Sequence, residues 1–387
     1  MKTLYLHIGT PKTATTAIQT FCWDNREILE KHGYGYPLFD YQFPNVQKYR
    51  NAHFLVGRIK DADGKRQFDE EKKVVREELG QVCQLFEQYD NIILSDEGIW
   101  NRGFFDDTNC WERLKQGLLK DDNIAVKVIV YLRRQDDFLF SWWNQQVKEG
   151  MLSSSVMSWE EVVEKMPYIK LDYYDILTKI SEYVGKENIT VRIFDKKSFV
   201  GGSVQADFLD ALHLQYTDEY KLLAPMQNPS LTKNNVEIKR VLNTLPDLDK
   251  QKNSYFRKLL TEASAEGEEG SSHMFSEEED RKFLEKYQEG NAKIAREYLG
   301  KDGALFNDVY RADGKWTPDN EQMIRDVIHF FGTTTLYLMN ENKSLKEQCK
   351  SLKEQLEVQK RHISNIRYKM KHPVKALSEK IKRTEQE

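Results

Sequence analysis

The chain has 387 residues, of which 39% are hydrophobic and 12% aromatic, enough for one large domain or two small ones. No apolar run reaches membrane-spanning length, and the first residues lack the layout of a signal peptide, so we expect a cytoplasmic protein. The four cysteines lie far apart and the net charge is −4. The wide spacing of the cysteines argues against a disulfide framework or a cysteine metal site. No nucleic-acid-binding motif is present in the sequence.

The first candidate site lies in residues 3–20, which read TLYLHIGTPKTATTAIQT. The run from Thr3 to Ile8 predicts a buried parallel strand, which ends at Gly9 and Pro11. Apolar residues at helical spacing follow and predict a helix. Such a strand, loop and helix aim unpaired backbone N–H groups at an anion, and a lysine with several hydroxyls adds further donors. An ordinary strand-to-helix turn capped by threonine is the alternative. The candidate anion-binding residues are Lys12, Thr13, Ala14, Thr15 and Thr16.

This loop does not have the Walker A pattern, which places its lysine directly after a second glycine. Here Lys12 comes three residues after Gly9, and the next glycine is Gly33. The stretch G-T-P-K-T-A-T-T instead resembles the 5′-phosphosulfate loop of sulfotransferases that use 3′-phosphoadenylyl sulfate (PAPS). Their usual core is Pro-Lys-[Ser/Thr]-[Gly/Ala]-Thr-[Thr/Ser]. The resemblance implies that residues 12–16 bind the phosphosulfate of PAPS and that Lys12 also acts in catalysis.

A second informative stretch, residues 126–150, reads VKVIVYLRRQDDFLFSWWNQQVKEG. A strand of mostly β-branched residues ends at Leu132, and Arg133 and Arg134 follow it at the start of a predicted helix. Arg133 and Ser141, eight residues apart, resemble the 3′-phosphate motif of sulfotransferases. A shift of one residue would give the role to Arg134. The Ser-Trp-Trp-Asn-Gln ending further resembles Ser-x-Tyr-x-Gln of carbohydrate sulfotransferases.

Two side chains are candidates for the general base. Glu97 follows a short predicted strand, Ile92 to Leu94, and ligands of open α/β sheets bind beyond the carboxyl ends of the strands. The family carries a catalytic histidine at a similar place, so by order along the chain Glu97 would replace it; a helix-capping carboxylate is the alternative. His53, in a loop-rich aromatic insertion over residues 30–60, is the second candidate. A structural histidine is the other interpretation of His53.

The last part of the chain contains an acidic segment, a heptad pattern and a basic tail. Residues 262–276 are acidic and small, which predicts a flexible loop, and Ser276 with Glu279 predicts a capping box that opens a helix. Two series of residues spaced seven apart then form a heptad seam, which predicts a coiled coil over residues 336–372 and a homo-oligomer. A lone amphipathic helix folded on the domain is the alternative. A basic amphipathic tail, residues 373–387, could contact an anionic membrane surface. The seam consists of Leu338, Leu345, Leu352, Gln359 and Ile366, with Asn342, Cys349, Leu356, Ile363 and Met370.

Taken together, the resemblance covers about residues 1–310 and implies a PAPS-dependent sulfotransferase of the carbohydrate type, with its domain over residues 1–335. It implies an α/β fold, a parallel sheet like that of P-loop kinases with helices on both faces. It also implies PAPS as co-substrate, adenosine 3′,5′-bisphosphate as product, no metal, and a carbohydrate hydroxyl or amine as acceptor, in surface polysaccharide or glycolipid synthesis. Asn228 or Ser230 would lie near the pocket; a turn with a helix cap at Ser230 is the alternative for this segment. A nucleotide kinase or NTPase, or a coiled-coil adaptor with an inactive nucleotide fold, are the alternatives.

Overall fold

The computed structural model describes residues 2–104, 109–120, 123–150, 152–166, 169–221, 230–266, 273–307 and 314–374. The chain separates into two compact units, Met1–Asn320 and Glu321–Glu387. None of the helices described in these ranges is both long and apolar enough to cross a membrane.

The described part of the first unit contains one sheet of five parallel strands, in the order β2-β3-β1-β4-β5. The strands are Lys2–His7 (β1), Tyr34–Gly35 (β2), Asn91–Ser95 (β3), Ile124–Leu132 (β4) and Ile189–Ile193 (β5). The predicted parallel α/β sheet is therefore confirmed. The sequence does not predict β2, because two residues at a sheet edge are too short to show a periodicity.

The sheet is buried on both faces, since alternate residues of β1, β3 and β4 belong to two separate hydrophobic clusters. Leu4 and Leu6 of β1 lie in one cluster with Leu94. Tyr5, between them, lies in the other cluster with Ile93. Successive side chains of a strand point to opposite faces, so a sheet covered on both sides needs apolar residues at consecutive positions. This requirement explains the continuous apolar runs from which the strands were predicted.

All the described α-helices except the last belong to the first unit with the sheet, and the last belongs to the second unit. Their bounds are Thr15–Asp24 (α1), Arg26–Lys31 (α2), Phe68–Leu85 (α3), Gly98–Arg102 (α4), Cys110–Gly117 (α5), Gln135–Glu149 (α6), Trp159–Lys165 (α7), Tyr173–Val184 (α8), Val204–Ala211 (α9), Lys233–Leu242 (α10), Lys250–Glu266 (α11), Glu277–Leu299 (α12) and Glu321–Lys371 (α13). The capping box of Ser276 and Glu279 at the start of α12 is confirmed.

The acidic segment at residues 262–276 differs from its prediction as a loop. Its first residues, 262–266, form the end of α11, because the alanine and glutamate residues there favour a helix. Residues 267–272 lie outside the described residues.

The second unit contains one long helix, α13, of 51 residues. It begins at Glu321, before the predicted start of the coiled coil at residue 336. Apolar seam residues, including Leu345, Leu352 and Leu356, are exposed on it. Pairing of this seam with another helix stays a prediction, and so does the membrane contact of the basic tail, of which residues 375–387 lie outside the described residues.

Candidate active site

The loop between β1 and α1 extends the sheet beside β4 and then turns. The Thr10 N–H donates to the Tyr131 carbonyl at 2.9 Å, and the Tyr131 N–H donates to the Gly9 carbonyl at 2.7 Å. The turn places Lys12 and Ala14 in the left-handed region, at φ of 68° and 58°. This conformation costs about 1–2 kcal/mol for each residue with a side chain. Such strain is concentrated at functional sites, and alternation of left- and right-handed residues makes a concave, anion-binding nest of N–H groups.

The first turn of α1 leaves its backbone donors available. Its N-cap is Ala14, no side chain of the described residues caps it, and the first turn contains no acidic residue. The Thr13 hydroxyl donates to the Thr10 carbonyl at 2.5 Å, so Thr13 stabilises the loop from within. Thr15 and Thr16 line the adjoining cleft. An uncapped helix N-terminus carries a partial positive charge and free N–H groups, which favour an anion.

Lys12 lies at the same cleft, with its ammonium partly removed from water. Its Nζ donates to Gln145 Oε1 at 3.2 Å. Burial and the positive charge of Arg133 lower the pKa of Lys12, while the charges of Glu149 and Glu97 act in the opposite direction. A bound anion would remove this electrostatic cost, so the site favours a negatively charged ligand.

Arg133 joins the two predicted nucleotide motifs. Its Nη1 donates to the Lys12 carbonyl at 3.3 Å, and its own carbonyl accepts a hydrogen bond from the Tyr173 hydroxyl at 2.8 Å. The end of β4 is therefore linked directly to the loop after β1. Ser141 is buried on α6, the helix that follows Arg133.

Arg134 is oriented away from this role by its ion pairs. Its Nε and Nη2 bind both carboxylate oxygens of Asp136, at 2.7 and 2.6 Å. Its Nη2 also lies 3.6 Å from Asp280 Oδ2 on α12. These contacts make Arg134 a link between α6 and α12. The geometry favours Arg133 over Arg134 as the residue that faces the candidate anion-binding loop.

Glu97 lies just beyond β3 and lines the cleft. Its Oε2 accepts a hydrogen bond from Gln19 Nε2 at 3.2 Å, and its Oε1 lies 3.4 Å from Arg50 Nη1. The loop after β1 packs closely against it, because a Cβ on Gly9 would stand 3.0 Å from the Glu97 Cβ. With φ of 96°, Gly9 also has a backbone conformation that favours glycine. Glu97 is thus fixed beside the candidate anion site.

His53 and Asp96 form a buried pair behind Glu97. His53 Nδ1 lies 2.9 Å from Asp96 Oδ2, and the His53 ring packs against Phe43 with 4.9 Å between centroids. Burial raises the pKa of the Asp96 carboxyl, but the hydrogen bond with His53 and the charge of Arg50 outweigh it and hold that pKa below its usual range. His53 is not among the described residues that line the cleft, which favours Glu97 as the base candidate.

A cleft of about 740 Å³ lies beside the loop after β1, a volume suited to a small-molecule ligand. Lys12, Thr15, Thr16 and Glu97 line it, whereas Arg133 and Ser141 are not among its described lining residues. Its described lining comes from the loop after β1, the start of α1, the end of β3, α4, α6 and the segment before α8. The lining residues are Pro11, Lys12, Ala14, Thr15, Thr16, Arg50, Glu97, Gly98, Asn101, Arg102, Trp142, Gln145, Gln146, Leu152, Ser154 and Lys170. The described residues contain no group of three or more His, Cys, Asp or Glu side chains that could hold a metal.

Several lining residues escape prediction from the sequence. Arg50 lies in the aromatic insertion, where no periodicity indicates which side chains face a ligand. Arg102 and Lys170 carry no motif signal either. Of the two predicted residues near position 230, Ser230 is exposed and does not line the cleft. Asn228 lies outside the described residues.

Comparisons with known proteins identify no function. No family model matches the chain. An uncharacterised protein of Archaeoglobus fulgidus is 37% identical over 183 residues, or 46% of this chain, and the match spans about half (47%) of that relative. A solved sulfotransferase from Alicyclobacillus acidocaldarius is similar, with 14% identity and a TM-score of 0.34, over 57% of this chain and 86% of that one. The functional argument therefore rests on the site itself.

Proposed function

We propose that the protein is a PAPS-dependent sulfotransferase that acts on a hydroxyl or amine of a carbohydrate. The observation that carries this proposal is the 3.3 Å contact between Arg133 Nη1 and the Lys12 carbonyl. It brings a strained, uncapped, lysine-containing loop together with an arginine from a separate strand. PAPS carries one anionic group on the 5′ side of its ribose and another on the 3′ side. A site that binds PAPS therefore needs two sets of hydrogen-bond donors, one for each anionic group.

Each group of donors suits one end of this nucleotide. The N–H groups after Ala14, with Lys12 and the hydroxyls of Thr15 and Thr16, suit the 5′-phosphosulfate. The Arg133 guanidinium and the Ser141 hydroxyl suit the 3′-phosphate, since arginine offers a forked set of donors and serine a short one.

The chemistry needs charge stabilisation and the removal of one proton. PAPS supplies the sulfuryl group: a bond forms from the acceptor oxygen or nitrogen to sulfur as the sulfur–oxygen bond to the 5′-phosphate breaks. Lys12 and the N–H groups of the loop would stabilise the negative charge on the leaving phosphate. The Glu97 carboxylate would accept the proton of the acceptor.

The remaining lining supports a sugar as the acceptor. Trp142 supplies an aromatic ring, while Gln145, Gln146 and Ser154 supply amide and hydroxyl groups at the same cleft. Sugars combine apolar C–H faces with many hydroxyls, and a wall of mixed aromatic and amide groups suits both surfaces. The acceptor's identity and its sulfated position stay open.

A titration with adenosine 3′,5′-bisphosphate and adenosine 5′-phosphate tests the donor site. The wild type should bind the bisphosphate more tightly, and Arg133→Ala should lose about 10–100-fold of its affinity for the bisphosphate alone. This loss is expected because only the bisphosphate carries the 3′-phosphate that Arg133 would contact. Isothermal titration calorimetry with both ligands measures the difference.

The matched control is Arg134→Ala. This variant removes a guanidinium group one residue further along the chain. We expect its melting temperature to fall, because Asp136 would lose its ion-pair partner. Its affinity for the nucleotide should be retained. Absence of bisphosphate binding by the folded wild type would refute the proposal. Preferential binding of ATP with Mg²⁺ would instead favour a kinase or NTPase.

We further propose that the seam of α13 pairs two copies of the chain. Leu345→Asp together with Leu352→Asp should convert an oligomer to a monomer, because each places a charge in an apolar interface. Val358→Asp is the control, since Val358 is exposed on the same helix but outside the seam. Sedimentation of the full-length proteins measures the mass, and a monomeric wild type would contradict the pairing.

A further inference from the structure

The cleft has more positive than negative charge. Its described lining includes four cationic side chains, from Lys12, Arg50, Arg102 and Lys170, but one carboxylate, from Glu97. Lys12 is assigned above to the sulfuryl donor. The other three cations differ in whether a carboxylate of the protein neutralises them.

Arg50 is neutralised. Its Nε and Nη2 bind the two oxygens of Asp96 at 3.0 and 2.9 Å, and its Nη1 lies 3.4 Å from Glu97. The Gly98 N–H donates to Asp96 Oδ1, and His53 Nδ1 lies within hydrogen-bond distance of Oδ2. A carboxylate has about four lone-pair sites, so Asp96 has its full set of partners. It has no acceptor site left for a further arginine.

Arg102 is the cation without such a partner. It makes no hydrogen bond or ion pair with any residue in the described ranges, and it is half-buried at the end of α4. Its Nη2 lies over Gly98, where an added Cβ would stand 2.8 Å away. Burial lowers the pKa of Arg102, and the charge of Asp96 raises it. The charges of Arg50 and Arg58 lower this pKa, and that of Glu97 raises it. A half-buried guanidinium without a hydrogen-bonded partner is stabilised by an added anion.

Lys170 adds a second cation beside α4. It is exposed, lines the cleft and is tied to this helix, because its carbonyl accepts a hydrogen bond from Trp100 Nε1 at 3.4 Å. We propose that Arg102 and Lys170 bind an oxyanion carried by the acceptor, so that the enzyme sulfates an already acidic glycan. This assignment rests on the proposed function. Gly98 directly follows Glu97, so the oxyanion would lie on a part of the sugar close to the reacting hydroxyl.

Matched pairs of acceptors test this proposal with ³⁵S-labelled PAPS. One arm compares hexuronate-containing oligosaccharides with their carboxyl-reduced forms, and the other compares phosphorylated oligosaccharides with their dephosphorylated forms. The two arms distinguish a carboxylate from a phosphate. The proteins are the wild type, Arg102→Gln, Lys170→Gln and Arg58→Gln. The last is the matched control, since Arg58 is exposed near Arg102 but is not among the described lining residues.

We expect label to enter the acidic member of at least one pair in preference to its neutral form. Arg102→Gln should raise the KM for that acceptor about tenfold and reduce the preference, because a charge-assisted hydrogen bond is lost. Arg58→Gln should retain both. Neutral acceptors that are labelled at least as well as acidic ones, or an unchanged preference in folded Arg102→Gln, would overturn the inference. Binding of adenosine 3′,5′-bisphosphate by the same proteins reports separately on the proposed function.

Discussion

Replacement of Lys12 by alanine is expected to lower kcat for sulfate transfer about 10²–10³-fold, the loss typical of a removed transition-state donor. Negative charge develops on the leaving 5′-phosphate, and Lys12 is the cation of the loop that would face it. In the described part of the chain its ammonium donates one hydrogen bond, to the neutral Gln145 amide. Its loss should therefore leave the fold intact, and transfer of ³⁵S from labelled donor measures the effect.

A glycine at the same position separates charge from backbone strain. Lys12 has a φ of 68°, and alanine keeps that strained conformation whereas glycine adopts it freely. Lys12→Gly and Lys12→Ala should be equally inactive, but the glycine variant should have a melting temperature no lower than the alanine variant. Activity in Lys12→Gly that approaches the wild type would show that the lysine charge is not needed.

A surface lysine and the oligomeric state supply the controls. Lys73→Ala removes an exposed lysine of α3 that pairs with Glu70, and it should leave transfer unchanged. Lys12→Ala should also keep the oligomeric state of the wild type, since the seam lies on α13. Full activity in Lys12→Ala would contradict the role proposed for Lys12. If no variant including the wild type transfers sulfate, the adaptor interpretation gains support.

The fold could be predicted from the sequence because its strands are consecutive apolar residues between turn signals. A sheet covered on both faces imposes that pattern, so β1, β3 and β4 are evident from the sequence. The same reasoning placed Lys12, Glu97 and Arg133 beyond the carboxyl ends of β1, β3 and β4. These three strands are neighbours in the sheet, so their following residues converge.

The rest of the site depends on contacts between distant segments, which no local pattern encodes. Arg50 reaches Asp96 from an insertion without periodicity, and the linkage of Lys170 to α4 is made through its backbone carbonyl. The choice between Arg133 and Arg134 is likewise tertiary. Asp136 and Asp280 around Arg134 show that this guanidinium links α6 to α12, whereas the Arg133 guanidinium contacts the loop after β1.

Replacement of Glu97 by glutamine is expected to lower kcat about 10²–10⁴-fold, the usual contribution of a general base. The amide keeps the size of the side chain and can still contact Gln19 and Arg50, but it cannot accept the proton of the acceptor. Binding of adenosine 3′,5′-bisphosphate should not weaken, because Glu97→Gln removes a negative charge beside the loop that contains Gly9. Single-turnover transfer with saturating donor measures the chemical step.

His53→Asn is the comparison that assigns the base. His53 contacts the buried Asp96. Its replacement should lower the melting temperature, because the buried carboxylate loses a hydrogen-bond partner. The effect of His53→Asn on the chemical step should be smaller than that of Glu97→Gln. The reverse result, an active Glu97→Gln with a folded but inactive His53→Asn, would assign proton removal to His53. In that case the ring would have to leave Asp96 to reach the acceptor, since in this structure Arg50 and Glu97, not His53, line the cleft.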